Sequence, residues 1–273
     1  MLGAGLVLSL IVVLARTPSN SGNWSEELAK TATATNERDG TVTLRNVRDF
    51  SYGDHVIVAR HWIAERNVNP ADIVRMWFVL EPFAAWKAAG HTYLTFEMKD
   101  GTALSFSIEA RKQNGATYSP LTGMFNNYAL TYTWGEERDF LTRRLLYLGH
   151  PVYMYPMKVS PIAAQAMFRA LAGDTARLAL HPRFYNTLNA NCTDLLAETA
   201  NALKPGAVPY DISWQLPGYA DGFMAKIGYL RVPGDFATAR ERYDLTARRR
   251  LILAHAGDDP AAFSRYVRSL LPQ

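Results

Sequence analysis

Cysteine is almost absent from this chain. Cys192 is the one cysteine among 273 residues, which excludes an internal disulfide and any metal site built from several cysteines. No His-Glu-x-x-His motif and no paired His/Cys spacing is present, so we expect no metal. The Gly-x-Ser-x-Gly elbow, the phosphate loop and the dinucleotide fingerprint are missing too, and we expect no cofactor. The chemistry left open by these absences is that of a single thiol.

The chain also lacks a strong charge of either sign. It has 29 Lys and Arg against 25 Asp and Glu, a net charge of +4. That balance does not predict a nucleic-acid partner, and no nucleic-acid-binding signature is present. Many arginines lie between Arg231 and Arg268. They indicate either a solvated helix face or contact with anionic lipid or cell-wall polymer.

No apolar run reaches the ~20 residues of a standard membrane-spanning helix. Leu2 to Ala15 are uninterruptedly apolar or small, which suits a signal peptide or a minimal signal anchor; a buried N-terminal helix is the alternative. We assign residues 1–16 to this segment and residues 17–23 to a polar tether. Residues 24 onward are then expected outside the cytoplasmic membrane, held to that membrane by the N-terminal segment.

Hydrophobic periodicity predicts an α+β fold, with a mostly antiparallel sheet packed against helices. Strands are expected over 41–52, 72–80, 91–98, 103–111, 128–134 and 152–159. Helices are expected from Ser160-Pro161 onward, from Asn191 to before Pro205, and over 236–256 and 260–271. We predict a domain over 24–205, with residues 206–273 as an irregular and helical extension packed on it.

The segments 91–98 and 103–111 predict a β-hairpin around Asp100-Gly101. Matching their polar faces requires an odd-numbered loop or a bulge, and this places His91 opposite or diagonal to Glu109 and Arg111. Glu109 would then accept a hydrogen bond from the imidazole and fix its tautomer, with Ser107 as the weaker candidate. The alternative is an exposed surface formed by Glu109 and Arg111.

Cys192 is predicted in the first turn of a helix. Asn191 is a favourable N-cap, and Asp194 stands three residues after it, as in a capping box. Backbone N–H groups and the helix dipole favour a thiolate at such a position. The small polar neighbours predict a thiol that is not sealed in the core, although a lone cysteine is more often inert packing.

A thiol beside an imidazole is a nucleophile with its base. His91 is our candidate base, and the other five histidines compete with it: His55, His61, His150, His181 and His255. The backbone N–H of Cys192, with Asn191 or Tyr185, is expected to stabilise an oxyanion. Arg111 is a further candidate for contact with substrate.

Several stretches together resemble the periplasmic domain family named for the Lnb-type lipoprotein N-acylation enzymes. They are Thr43–Tyr52, His91–Phe96, Ser107–Arg111, Tyr118–Phe125, Gly135–Asp139, Tyr153–Met157 and Tyr185–Thr193, which together cover roughly residues 40 to 203. The resemblance implies a permuted papain-like fold, in which the histidine strand precedes the cysteine helix, with His91 and Cys192 as the catalytic pair. It also implies transfer of an acyl chain from a diacylglyceryl lipoprotein to an amine.

Three functions therefore remain open from the sequence. The first is acyl transfer or hydrolysis in the cell envelope, acting on a lipoprotein. The second is cleavage of peptidoglycan or another envelope amide, and the third is a non-catalytic binding module with a buried thiol.

Overall fold

The computed structural model describes residues 16–232 and 234–272, so the predicted signal segment Leu2–Ala15 lies outside the described residues. The strands are β1 (Thr33–Asn36), β2 (Val42–Arg48), β3 (Ser51–Gly53), β4 (Val56–Ala59), β5 (Trp62–Val68), β6 (Ile73–Pro82), β7 (Gly90–Met98), β8 (Ala103–Arg111), β9 (Tyr128–Glu136), β10 (Tyr153–Pro156) and β11 (Phe184–Tyr185).

Eight α-helices lie within the same described ranges. They are α1 (Pro120–Gly123), α2 (Glu137–Thr142), α3 (Pro161–Leu180), α4 (Cys192–Leu203), α5 (Ala220–Lys226), α6 (Phe236–Arg242), α7 (Arg249–Ala254) and α8 (Pro260–Ser269). A π-helical turn, Arg143–Leu148, continues α2. None of the helices that the structure describes is long and apolar enough to cross a membrane.

Nine strands form the main sheet in the described part of the chain, in the order β1-β2-β9-β8-β7-β6-β10. β5 also pairs with β2, and β11 with β9. All of these pairs are antiparallel except the single contact between Arg48 of β2 and Gly135 of β9. The predicted α+β class with a mostly antiparallel sheet is therefore confirmed.

The hairpin between β7 and β8 has the predicted odd-numbered loop. Glu97 pairs with Ala103, and the Met98 N–H donates to the Thr102 carbonyl at 2.8 Å, which leaves residues 99–101 as the turn. Gly101 adopts φ +89°, a backbone conformation that glycine takes without strain. The pairing of Tyr93 with Ser107 continues the register so that His91 faces Glu109.

The strand predicted over 41–52 is broken in two, because β2 ends at Arg48 and β3 begins at Ser51. The buried Asp139 carboxylate causes the break. It accepts hydrogen bonds from Nε of Arg48 and, at 2.7 Å, from the backbone N–H of Phe50. That N–H bonds a side chain instead of a neighbouring strand, so the ladder does not continue.

Both central helices begin where the sequence predicts. Ser160 caps α3 and accepts a hydrogen bond from the Ala163 N–H. α4 begins at Cys192 and packs against β7 and α3, which brings the thiol to the polar end of β7. The C-terminal segment returns to the sheet edge, where Met154 donates to the Tyr243 carbonyl at 3.1 Å. An edge that would otherwise be open is thereby covered.

Candidate active site around Cys192

The N-terminus of α4 presents the thiol. The Asn191 side-chain oxygen accepts hydrogen bonds from the N–H groups of Thr193 at 2.7 Å and Asp194 at 3.1 Å, and Asp194 completes the predicted capping box. This cap takes the second and third N–H groups of the helix. It leaves the N–H of Cys192 beside its own sulfur, directed out of the helix end.

Cys192 is only 2% exposed, so the prediction of a thiol outside the core was wrong. The small polar neighbours do not open a path to solvent because they bond to one another. The hydroxyls of Thr92 and Thr193 lie 3.0 Å apart, and the Thr193 hydroxyl lies 3.9 Å from Sγ. The sulfur is therefore surrounded by polar groups although it is buried.

His91 is the residue that lowers the pKa of the thiol most. Burial alone would raise the pKa of Cys192, but the charge of His91, its hydrogen bond, and hydrogen bonds from the backbone and side chain of Thr92 lower that pKa below the ordinary value. Burial alone would lower the pKa of His91, yet Glu109 and Cys192 raise it to about 10. Both directions favour the charged form of each side chain.

The Nε2 edge of the His91 imidazole is held by a short chain of hydrogen bonds. Nε2 of His91 lies 2.6 Å from the Ser107 hydroxyl, which donates to Oε1 of Glu109 at 2.7 Å; that oxygen is 3.4 Å from Nε2. Since the serine proton goes to the carboxylate, Nε2 must be the donor to Ser107. Nδ1 is then the nitrogen available to the sulfur.

A buried arginine lies behind this carboxylate. Arg144 is fully buried, with NH2 3.6 Å from Glu109 and Nε 2.6 Å from Glu81, and its guanidinium stacks 4.2 Å from the Tyr93 ring centroid. Burial would raise the pKa of Glu109, but His91 and then Arg144 hold it well below its usual range. The negative partner of the imidazolium is thus ionised at neutral pH.

Tyr185 is a buried tyrosine whose pKa is affected by the charge of Cys192. Its hydroxyl lies 3.3 Å from that of Tyr118. Burial, followed by the charge of Cys192, raises the pKa of Tyr185 well above its ordinary value. The phenol of Tyr185 is therefore neutral at ordinary pH and keeps a proton that it can donate.

Two residues predicted to contact substrate are engaged elsewhere. The side-chain nitrogen of Asn191 donates to the carbonyls of Thr187 at 3.1 Å and Trp214 at 2.9 Å, so Asn191 holds loops together and offers no free donor. Arg111 is 1% exposed, and its guanidinium donates to N-terminal carbonyls, with Nε 2.8 Å from that of Leu28. The structure supports neither as an oxyanion or substrate ligand.

An apolar cavity of about 280 Å³ lies beside the thiol. Its lining includes Thr92 and Thr193 but not Cys192 itself, and the Thr193 hydroxyl lies 3.9 Å from the sulfur. The remaining lining is almost wholly apolar and comes from the sheet, from α3 and α4, and from the segment after α4; it includes Phe78, Leu94, Met167, Leu196, Ala197, Ala200, Trp214, Ala220, Phe223 and Met224. Such a lining suits an alkyl chain.

Sequence reasoning missed three contributors to this site. Arg144 carries no motif, and a buried guanidinium becomes visible only when its carboxylate partners are placed around it. Thr92 follows His91 directly in the sequence and was not singled out. Tyr118 lay within the recognised stretches without an assigned role. No group of His, Cys, Asp and Glu able to hold a metal occurs in the described residues.

A family model described as "Lnb N-terminal periplasmic domain" matches residues 59–216. The matched range contains His91, Ser107, Glu109 and Cys192, and it ends before α5, whose residues line the cavity. No curated protein and no solved structure matches the chain.

Proposed function

Because the chain belongs to the Lnb N-terminal periplasmic domain family, we propose that it is a periplasmic thiol acyltransferase or acyl hydrolase. The apolar cavity that begins beside the thiol carries the proposal. An acyl chain fits such a lining, whereas a peptidoglycan peptide would leave its polar groups unpaired there. We propose a lipoprotein as the acyl donor, and attachment of the protein to the inner membrane through its N-terminal segment.

In the proposed reaction, the Cys192 thiolate attacks the carbonyl carbon of an ester. The oxyanion is stabilised by the Cys192 N–H and by the neutral phenol of Tyr185; such donors are worth about 3 kcal/mol each. As the tetrahedral intermediate collapses, the leaving alkoxide takes a proton from His91, and an acyl thioester remains. His91 then takes a proton from an amine or from water, which attacks the thioester and releases the thiolate.

Ser107 and Glu109 have a positioning role in this scheme. They hold Nε2 as a hydrogen-bond donor, so that Nδ1 faces the sulfur throughout the cycle. We also propose the permuted papain-like arrangement. Its support is that α4 begins with the cysteine and packs on β7, which carries the histidine and comes earlier in the chain.

The test is formation of the acyl enzyme. The full chain is incubated with a diacylglyceryl lipopeptide, and intact-protein and peptide mass spectrometry record an acyl group on Cys192. We expect the adduct in the wild type and none in Cys192→Ala or His91→Ala. His181→Ala, which changes an exposed histidine away from the site, is the matched control.

Circular dichroism establishes that each variant is folded. Absence of an adduct from the wild type with every lipopeptide and acyl ester offered would reject the proposal. It would favour the non-catalytic alternative, for which the 2% exposure of Cys192 is the supporting observation.

A further inference from the structure

Four loops surround the end of α4 that carries Cys192. They comprise residues 83–89, 118–126, 186–190 and 210–219. Together they are named the mouth rim. They come from distant parts of the chain, so their arrangement is set by the contacts between them.

The first contacts join the loops on either side of Leu188. The Thr187 hydroxyl donates to the Pro120 carbonyl at 2.8 Å, which ties residues 186–190 to the loop that contains α1. On the other side, Gln215 donates to the Leu188 carbonyl at 3.3 Å. Three of the four loops are thus in direct contact.

The remaining contacts close the ring. The Gly218 N–H donates to the Ala88 carbonyl at 2.9 Å, and the rings of Phe83 and Tyr118 meet edge to face at 6.0 Å. Each loop therefore touches the next one around the site. The rim is one continuous surface, with the thiol beneath it.

Large apolar side chains on this rim point to solvent. Among the described residues, the strongly exposed tryptophan and phenylalanine both lie here. Six rim side chains are between 50% and 72% exposed: Trp86, Leu121, Phe125, Leu188, Tyr210 and Ile212. Single exposed apolar residues are ordinary, but six of them on four adjoining loops mark an interaction surface.

Arg16, the first described residue, lies next to this rim. The Arg16 guanidinium bonds the side chain of Asn127, two residues after Phe125. In sequence, Arg16 directly follows the apolar run Leu2–Ala15. An apolar segment in a membrane would therefore leave that membrane beside the rim.

Basic groups accompany the apolar ones. The Lys87 ammonium lies 5.7 Å from the Tyr219 ring centroid, and Lys87 and Arg16 are both exposed. Asp211 is the acidic residue of the rim, so the rim together with Arg16 has a net charge of +1. Aromatic and aliphatic side chains with this charge fit the interface of an anionic bilayer, where the rings enter the headgroup region and the cations meet lipid charge.

We propose that the mouth rim docks on an anionic lipid bilayer, with Trp86, Leu121, Phe125 and Leu188 inserted at the level of the headgroups. The end of α4 that carries Cys192 then faces the membrane and not the periplasm. This surface does not depend on any reaction at Cys192, so it goes beyond the function proposed above.

The test is photocrosslinking of the full chain, reconstituted in vesicles of phosphatidylethanolamine and phosphatidylglycerol. Benzoylphenylalanine replaces Leu121, Phe125 or Leu188 in turn. The controls are Val58 and Leu251, which are 65% and 52% exposed and lie outside the rim. We expect several-fold more lipid adduct at each rim position than at either control, and the same pattern in Cys192→Ala.

Equal labelling at rim and control positions, or no lipid adduct at the rim, would overturn the proposal. Crosslinks between two copies of the chain would assign the rim to self-association instead. Crosslinks to residues 2–15 would assign it to the N-terminal segment of the same chain. Because the readout needs no catalysis, a failure of acyl transfer leaves this result interpretable.

Discussion

Filling the apolar cavity with a larger side chain tests whether the cavity binds the acyl chain of the donor. Ala197 lies one helical turn after Thr193 on α4 and lines the cavity of about 280 Å³. The change Ala197→Phe directs a benzyl group into this space. The residues around the sulfur are unaltered, so we expect long acyl donors to be rejected while short ones still react.

The size of the effect follows from the area that the donor buries. Each buried methylene contributes about 0.8 kcal/mol. A ring that displaces roughly four methylenes therefore removes about 3 kcal/mol of binding, which corresponds to on the order of a hundredfold in kcat/KM. An acetyl donor does not reach the cavity, so we expect its kcat/KM to be unchanged.

The assay follows acylation of Cys192 by 4-nitrophenyl esters, from acetyl to palmitoyl. Ala237→Phe is the matched control, because Ala237 is exposed on α6 and does not line the cavity. Thermal unfolding measures any overpacking, which typically costs about 1–3 kcal/mol. Equal losses for acetyl and palmitoyl donors, or the same loss in Ala237→Phe, would refute the reasoning.

Three further predictions concern charge. Iodoacetamide labelling of Cys192 against pH should give an apparent thiol pKa below the ordinary value, and His91→Asn should raise it, because the imidazolium is lost; an unchanged profile would contradict the proposed pair. The pKa of His91 is about 10 in the wild type, and Glu109→Gln should lower it more than Ser107→Ala does, because only the first change removes a charge. NMR titration of the imidazole measures both shifts, and equal shifts would contradict the prediction. Burial raises the pKa of Asp194 to about 7. The folded chain therefore keeps a proton that the unfolded chain loses near pH ~4, and stability should fall as pH rises from ~4 to about 7. Asp194→Asn should abolish this fall in thermal melts, and a pH-independent difference in Tm between the two proteins would contradict it.

The pairing of His91 with Glu109 could be predicted because it depends on local rules. Side chains alternate along a strand, and Asp100-Gly101 sets the hairpin turn, so the polar faces allow few registers. The helix start at Cys192 was predictable for the same reason, since Asn191 and Asp194 both lie within one turn of it. The structure confirms both features, and both follow from interactions between residues close in the sequence.

The environment of the thiol was not predictable in the same way. Its burial depends on hydrogen bonds between Thr92 and Thr193, which are far apart in the sequence. Arg144 is placed by the π-helical turn that continues α2 and by two carboxylates on different strands. Asn191 caps the helix with its side-chain oxygen, and its nitrogen donates to the carbonyls of Thr187 and Trp214, so no donor remains for a substrate. Each outcome depends on which hydrogen-bond or ion-pair partner a polar group meets in the folded protein. The local sequence does not contain that information.

The cavity wall has an evolutionary consequence. The residues that would break and form bonds all lie inside the family match, whereas Ala220, Phe223 and Met224 lie beyond its end at residue 216. A relative that kept the same reacting groups but ended differently would enclose a differently shaped space. Selectivity for the acyl chain can therefore change through the segment after the family match while the reacting groups stay the same. Grafting this segment from one family member to another would transfer the selectivity of the donor protein.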